Sequence, residues 1–219
     1  MNRCKICKSV TISIPNIKRD KIYHRCLGCD YIFLNQDHYL DSEKEKEHYD
    51  NHHNNLESLG YVKMFEKLIE EFVPSNIYRV LDYGCGEGEV LPILLQRRGI
   101  DCDIYDLYYY PDKIYEDREY DMIVSTEVFE HLDNPLDSFE ILLSHIKKDG
   151  YLLLMTYFHP AETKEFLKWF YIQDITHIGF FSIKTFEYLA KKYSLKILKH
   201  NNKNTILFQK YRYVWYNIL

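Results

Sequence analysis

The strongest constraint on the fold is a glycine-rich segment that follows an apolar run in the first half of the chain. Val80-Leu81-Asp82-Tyr83 leads into Gly84-Cys85-Gly86-Glu87-Gly88, and an apolar helical pattern begins at Val90. A strand that turns sharply into a helix requires residues without a Cβ atom, because the backbone adopts positive φ there and a ligand can approach closely. The segment therefore predicts a strand, a ligand-binding turn and a helix.

The spacing of the glycines, and the acid before them, indicate what the turn binds. Gly84, Gly86 and Gly88 are evenly spaced, unlike the G-x-G-x-x-G pattern of dinucleotide-binding turns. The carboxylate of Asp82 would repel a pyrophosphate but suits a ligand that carries an ammonium group. These features favour a nucleoside with an amino acid at its other end, which describes S-adenosylmethionine (SAM).

Composition and charge narrow the functional classes. The hydrophobic content of 46% supports a real core, and the net charge of −5 argues against broad nucleic-acid binding by the whole chain. Residues 1–30 differ, with seven Lys and Arg against two Asp, a net +5 that leaves −10 on the remainder. This basic segment either contacts an anionic partner or only keeps a small module in solution. Without a signal peptide or an apolar run of about 18 residues, we expect a cytoplasmic protein with no membrane span.

Four of the six cysteines form two C-x-x-C pairs, Cys4/Cys7 and Cys26/Cys29. Each pair can direct two thiolates at one tetrahedral ion, and this spacing matches a structural zinc ribbon with four cysteine ligands. Because four ligands leave no open coordination position, the zinc would be structural. A disulfide pair is the alternative, although it is less common in cytoplasmic proteins.

From Leu56 onward the spacing of the hydrophobic residues alternates between the period of a helix and that of a strand. Such alternation predicts an α/β fold with a mainly parallel sheet covered on both faces. The predicted helices are Leu56–Val73, Glu89–Arg98, Pro135–Ile146 and Ile183–Tyr193. The predicted strands are Arg79–Tyr83, Asp101–Tyr105, Tyr120–Ser125 and Tyr151–Thr156, with Leu195–His200 and Thr205–Lys210 as a final hairpin.

Polar residues follow the predicted strands, at the sheet edge where open α/β sheets bind ligands. Asp106 ends the second strand about 20 residues beyond the glycine turn, and an acid there can accept both hydroxyls of a ribose. The next strand, opened by Asp121, ends in Ser125-Thr126-Glu127-Val128-Phe129-Glu130-His131-Leu132, and Lys148-Asp149-Gly150 precedes the following one. These segments, in this order and spacing, resemble the sequence motifs of class I SAM-dependent methyltransferases.

The resemblance covers roughly residues 60–210 and implies a Rossmann-like sheet of seven strands, mostly parallel with the last strand antiparallel. It also implies three units: a Cys4 zinc ribbon over residues 1–35, a polar linker or cap over 36–58, and the methyltransferase domain over 59–212. The chain is most similar to bacterial members that carry an N-terminal zinc-binding segment. Carried over by position, the implied SAM contacts are Asp82, Gly84, Gly86, Gly88, Asp106, Leu107 and Glu127.

Two polar clusters are candidates for the acceptor pocket. One is Tyr49–Asn54, which offers imidazole, amide and carboxylate groups ahead of the first domain helix. The other is Trp169–His177, in which His177 is suited to act as a general base and Asp174 to fix its tautomer. His131 either lies at the entrance to this pocket or hydrogen-bonds neighbouring backbone. The alternative for both clusters is surface or interface packing.

The main prediction is methyl transfer from SAM to a small-molecule acceptor, such as a sugar, a quinone-like compound or a carrier-linked metabolite. An RNA methyltransferase is a second hypothesis, supported by the basic ribbon and opposed by the acidic body. A zinc-ribbon interaction protein that binds SAM without catalysis is a third. The sequence does not indicate the methylated atom or the oligomeric state.

Overall fold

The computed structural model describes residues 2–50 and 55–211 and contains two β-sheets. Six helices pack on them or connect their strands. The helices are α1 (Ser42–Tyr49), α2 (Leu59–Phe72), α3 (Val90–Gln96), α4 (Pro135–Ser144), α5 (Thr163–Phe166) and α6 (Ile183–Tyr193). Among the helices of these described residues, none is both long and apolar enough to cross a bilayer.

The larger sheet carries the predicted strand–helix alternation. Its strands are β4 (Arg79–Tyr83), β5 (Asp101–Tyr105), β6 (Tyr120–Thr126), β7 (Ile146–Met155), β9 (Leu195–His200) and β10 (Thr205–Lys210), in the spatial order β5-β4-β6-β7-β10-β9. The pairings from β5 to β7 are parallel, and β10 pairs antiparallel with both β7 and β9. The predicted final hairpin and the antiparallel last strand are therefore confirmed.

Both faces of this sheet are buried, as its apolar strands require. Val80 of β4 belongs to a core that includes the apolar faces of α2 and α3. Its neighbour Leu81 points to the opposite face, where α4 and α6 cover the sheet. Because β4 is covered on both faces beyond its first residue, Arg79, the strand is apolar from Val80 to Tyr83 except for Asp82.

The prediction of seven strands is wrong for the part of the chain that the structure describes, where the sheet has six. No further strand forms between β5 and β6, where most of residues 107–119 lie in turns. The physical reason lies in Asp106, whose Oδ1 accepts hydrogen bonds from the amides of Tyr108 and Tyr109 and folds the chain back on itself. Pro111 then follows, which disfavours a paired strand.

The N-terminal sheet consists of β1 (Thr11–Asn16), β2 (Lys21–Cys26), β3 (Ile32–Leu34) and β8 (Gly179–Phe180), paired antiparallel in that order. The fourth strand comes from the far end of the chain. Gly179 is required here because a Cβ atom would lie 2.3 Å from the Tyr31 hydroxyl. The cysteine segment is therefore built into the larger fold through β8 rather than attached by a linker alone.

Candidate functional site

The glycine turn lies at the carboxyl end of β4 and needs glycine for two separate reasons. Gly84 and Gly86 have φ values of +81° and +66°, in the left-handed region that residues with a Cβ atom rarely adopt. At Gly84 a Cβ atom would also lie 2.2 Å from Cγ2 of Val128 on the neighbouring strand connection. The turn is tied to β5, since the Gly84 amide donates to the Tyr105 carbonyl at 2.7 Å.

Asp106 fastens this turn from the end of β5. Its Oδ2 accepts the Gly86 amide at 2.9 Å, while Oδ1 accepts the amides of Tyr108 and Tyr109 at 2.9 and 3.2 Å. A carboxylate has about four lone-pair positions, so these three bonds leave room for about one more donor. Asp106 thus shapes the turn and keeps capacity to accept a hydroxyl from a ligand.

Asp82 lies behind the turn rather than in its ligand-facing surface. Its side chain is 2% exposed, and its Oδ1 has no hydrogen-bond partner. Burial and the nearby charge of Asp106 raise the pKa of Asp82 from 3.8 to about 7. Asp82 does not line the cavity described below, whereas the other six predicted cofactor residues all do.

Replacing Asp82 with asparagine is expected to flatten the pH dependence of stability. Because the pKa is raised in the folded state, the folded protein holds a proton that the unfolded chain releases. The contribution of this group to the free energy of unfolding is full below about pH 4 and falls by roughly 4 kcal/mol as the pH rises through about 7. Urea unfolding without ligand, from about pH 5 to about pH 8, measures the effect.

The matched control is Asp101→Asn, because Asp101 is exposed at the opposite end of the neighbouring strand. That variant should keep the wild-type slope of stability against pH. Relative to wild type, Asp82→Asn should gain stability as the pH rises. Parallel pH profiles for Asp82→Asn and wild type would show that Asp82 does not hold a proton in the folded protein.

Beyond β6, two glutamates share one buried tyrosine. Glu127 has a φ of +54°, an unfavourable value for a side chain of its size, and its Oε2 accepts the Tyr171 hydroxyl at 2.9 Å. Glu130 is 0% exposed and also accepts from the Tyr171 hydroxyl. Burial raises the pKa of both carboxyl groups, and the negative charge of Glu127 raises that of Glu130 further. Tyr171 was not singled out from sequence, although it lies inside the predicted Trp169–His177 cluster.

The two predicted pocket histidines lie side by side. The rings of His131 and His177 are 4.7 Å apart, and each ring has its Nδ1 against a backbone carbonyl, that of Thr176 and that of Tyr171 respectively. Burial lowers the pKa of His177, and burial with the proximity of His177 lowers that of His131 to about 3. Both imidazoles are therefore neutral near neutral pH.

Asp174 lies near His177 but does not fix its tautomer through a direct hydrogen bond. The distance from Asp174 Oδ2 to His177 Nε2 is 3.8 Å, too long for that bond. The other oxygen, Oδ1, accepts from the backbone amide and the hydroxyl of Thr176. Although burial opposes ionisation, these bonds lower the pKa of Asp174. The group that holds His177 in place is instead the carbonyl of Tyr171.

Helix α1 closes the space above these groups. Glu45 and Asp50 accept hydrogen bonds from the hydroxyls of Tyr108 and Tyr109, and His48 Nε2 lies 3.2 Å from Asp174 Oδ1. The Tyr49 ring packs against His131 at 5.3 Å. Sequence reasoning missed Tyr108 and Tyr109, although a run of three tyrosines directly after Asp106 was a usable signal. Residues 51–54 of the predicted polar cluster lie outside the described residues.

One cavity of about 760 Å³ joins these parts, within the range of small-molecule sites. Its lining includes the glycine turn, Asp106 and Leu107, together with Glu127, His131, Asp174 and His177. Leu107 is 66% exposed, so it offers an apolar surface to a ligand rather than belonging to the core. The structure therefore brings nine of the ten predicted cofactor and catalytic residues to a single space.

The four N-terminal cysteines meet in a separate cluster. Their sulfur atoms all lie within 4.8 Å of one another. The amides of Gly28 and Cys29 each lie 3.3 Å from the Cys26 sulfur, and the amide of Cys7 lies 3.5 Å from that of Cys4. The hydrogen bond from the Cys29 thiol lowers the pKa of Cys4 to about 5. Four converging sulfurs with amide donors behind them fit a tetrahedral zinc ion.

Comparisons with known proteins agree with this architecture. The sequence pattern of a methyltransferase domain family matches residues 38–200. No curated protein matches the chain. Solved structures share the fold at low identity, so they inform on architecture alone.

Three of these structures illustrate the similarity. An O-methyltransferase family protein from Burkholderia thailandensis is 13% identical with a TM-score of 0.55, over 78% of this chain and 60% of its own length. A SAM dependent methyltransferase from Archaeoglobus fulgidus is 16% identical with a TM-score of 0.52, and the match covers 78% of this chain and 100% of that one. A putative methyltransferase from Bacillus halodurans C-125 is 11% identical with a TM-score of 0.50, and the match covers 68% of this chain and 100% of that one. The chain thus spans less than two thirds of the Burkholderia protein.

Proposed function

Since the chain belongs to the methyltransferase domain family, we propose that it is a SAM-dependent methyltransferase and that it methylates a hydroxyl group of a small-molecule acceptor bound beside His131 and His177. The observation that carries this proposal is the single cavity that joins the glycine turn to the two imidazoles. A cofactor beside the glycine turn and an acceptor beside the imidazoles would share this one cavity, and a direct transfer requires that the two reactants be held together.

The residues at the cofactor end fit SAM by their chemistry. Gly84, Gly86 and Gly88 leave the backbone open to a ligand, Asp106 can accept a ribose hydroxyl, and Leu107 offers an apolar surface for the adenine. Glu127 has a buried Oε1 without a hydrogen-bond partner, which suits the ammonium group of the methionine end. Asp82 lies behind the turn, where the positive charge of bound SAM would favour its ionised form. When bound, SAM supplies a methyl group made electrophilic by its sulfonium.

At the acceptor end, His177 is the residue placed to receive a proton. If the Nδ1 of its neutral ring donates to the Tyr171 carbonyl, the lone pair is on Nε2. His131 and Asp174 would position this ring and the acceptor. Helix α1, held by Tyr108 and Tyr109, would exclude water from the reacting atoms.

The charge of the cavity favours a small molecule over RNA. Among the described residues that line it there is no Lys or Arg, whereas Glu45, Asp106, Glu127, Asp133 and Asp174 all carry carboxyl groups. Phosphate groups of a nucleic acid would be repelled from such a surface, since nucleic-acid sites depend on basic residues. The basic N-terminal segment is better explained by its contacts with the rest of the chain, including the Lys5–Asp133 ion pair.

We also propose that Cys4, Cys7, Cys26 and Cys29 bind a structural zinc ion. The support is the convergence of the four sulfurs and the amide donors directed at them. The cluster touches the rest of the fold through Cys29, whose carbonyl accepts the Thr185 hydroxyl at 2.9 Å. Zinc would therefore stabilise the sheet that ends in β8.

Calorimetric binding of SAM and S-adenosylhomocysteine tests the cofactor site. We expect Asp106→Ala to weaken binding by about 1–3 kcal/mol, roughly 5- to 150-fold, because a hydrogen bond to a charged group and the support of Gly86 are both lost. Asp101→Ala, at the opposite end of the same strand, should bind like wild type. Equal affinities in Asp106→Ala and wild type would remove Asp106 from the cofactor site.

A further inference from the structure

The pair formed by the half-buried Glu127 and the buried Glu130 is short of positive charge. Glu130 is completely buried, and its Oε2 has no hydrogen-bond partner, as is also true of Glu127 Oε1. The Tyr171 hydroxyl contacts both carboxyl groups, yet a hydroxyl has one proton to donate. Among the described residues, neither glutamate has an ion pair with Lys, Arg or His. Buried carboxylates are normally paired or bound to a metal ion, so a proton or a cation is needed to neutralise this pair.

The neighbouring histidines are held in the way that metal ligands are held. His131 and His177 both have Nδ1 at a backbone carbonyl, at 3.2 and 2.8 Å. A histidine that binds a metal through one ring nitrogen almost always donates the other N–H to a carbonyl or carboxylate. If each Nδ1 donates to its carbonyl, each ring keeps a lone pair on Nε2.

The distances bring these groups together. One ligand atom from each of Glu130, His131 and His177 lies within 4.8 Å of the others. Two imidazoles and one carboxylate form a donor set typical of first-row transition metals, with positions left open for a substrate. Glu127 and Asp174 add negative charge on either side, which favours a divalent cation over a neutral molecule.

We propose that Glu130, His131 and His177 bind a divalent first-row transition-metal ion at the part of the cavity wall that His131 and His177 form, with the fully buried Glu130 carboxylate as the third ligand. The binding itself stands on the geometry of these three residues, whereas its part in catalysis rests on the proposed methyl transfer. There, the ion would favour acceptors with a hydroxyl next to a second hydroxyl or a carbonyl, because two adjacent oxygens can fill its open positions. With the ion bound, His177 would be a ligand in place of the base described above, because its single Nε2 lone pair cannot serve both roles. A hydroxyl bound to the ion releases its proton more readily, and that proton would pass to solvent.

The transfer then balances without another reactant. The deprotonated acceptor oxygen forms a bond to the methyl carbon as the carbon–sulfur bond of SAM breaks, and the electron pair stays on sulfur. The products are the methyl ether and S-adenosylhomocysteine. No oxidation or reduction of the ion takes part.

The test uses the whole 219-residue chain with its cysteine cluster loaded with zinc. Mn²⁺ and Co²⁺ are each titrated alone, and bound metal is measured by mass spectrometry after gel filtration and, for Mn²⁺, by loss of the free-ion paramagnetic resonance signal. We expect about one added equivalent per chain with sub-millimolar affinity, since Mn²⁺ prefers oxygen and nitrogen over thiolate ligands. Glu130→Gln and His177→Gln should each weaken this binding at least about 10-fold.

The matched control is His145→Gln, because His145 also has Nδ1 at a backbone carbonyl, that of Arg118, but does not line the cavity. It should bind metal like wild type. Glu130→Gln preserves the shape of the buried side chain, and retained binding of S-adenosylhomocysteine shows that each variant is folded. The metal site would be overturned if neither ion bound to wild type. It would also be overturned if both Glu130→Gln and His177→Gln bound the ions as tightly as wild type does.

The same data separate this inference from the proposed function. Wild type that binds S-adenosylhomocysteine but neither metal would leave the methyltransferase site standing and show that the glutamate pair holds a proton instead. Wild type that binds metal but not S-adenosylhomocysteine would keep the metal site and contradict the cofactor site.

Discussion

Replacing Cys26 with serine is expected to release the proposed zinc ion and to destabilise both the N-terminal sheet and the acceptor end of the cavity. A closed four-sulfur site contributes directly to folding, so the free energy of unfolding should fall by about 4 kcal/mol or more. The effect reaches the cavity through β3, because the Leu34 amide donates to the Ile178 carbonyl and the Ile178 amide to the Glu130 carbonyl, both at 2.8 Å. Zinc content by mass spectrometry and urea unfolding measure the loss.

Hydrogen exchange locates the effect. Amide protection should fall at Leu34 and Ile178, while the β4–β6 pairing at the centre of the larger sheet keeps its protection. Cys102→Ser is the control, since Cys102 lies on β5 away from the cluster and the variant should retain a full equivalent of zinc. A Cys26→Ser protein that still held a full equivalent of zinc would contradict the four-cysteine assignment.

Replacing Gly84 with alanine is expected to destabilise the fold and abolish measurable cofactor binding. The left-handed backbone at φ +81° costs roughly 1–2 kcal/mol for a residue with a Cβ atom. The new Cβ atom would lie 2.2 Å from Cγ2 of Val128 and 3.1 Å from its Cγ1, and relieving such an overlap costs typically another 1–3 kcal/mol. Val128 is β-branched and follows Glu127, so the displacement would reach the cofactor site. Urea unfolding and calorimetry with S-adenosylhomocysteine measure the two effects.

Gly86→Ala separates the two causes. Gly86 has a φ of +66°, but a Cβ atom there would meet nothing within 4 Å. We therefore expect only the backbone cost, about 1–2 kcal/mol, with the protein still folded. If the two alanine variants lose equal stability, the contact with Val128 does not limit the turn.

Local sequence patterns were enough for the elements that position the site. The apolar run before Gly84 and the helical period from Val90 predicted β4 and α3, and the four-cysteine spacing predicted a cluster that the structure brings together. Strand ends were informative because parallel strands bring their carboxyl ends to one edge. Asp106 and Glu127, 21 residues apart in sequence, line the same cavity for that reason.

Other features depended on contacts between residues distant in sequence. β8 has two residues, too few for a periodic pattern, and forms because β3 offers it a free edge. The missing seventh strand depended on Asp106, whose side chain competes for the amides of Tyr108 and Tyr109. Tyr171 was hidden within an aromatic cluster, and only packing shows that it contacts Glu127 and Glu130.

The sequence by itself determined the α/β class, the glycine turn and the chemical types of the groups around it, because these follow from local periodicity and from residues that only certain backbones accept. The tertiary structure alone decided which groups share an environment. It buried Asp82 behind the turn, and it placed His177 against the Tyr171 carbonyl rather than in a hydrogen bond with Asp174. It also brought ligand atoms of Glu130, His131 and His177 within 4.8 Å of one another. Burial, charge proximity and ligand geometry depend on distances through space, and a linear pattern does not contain them.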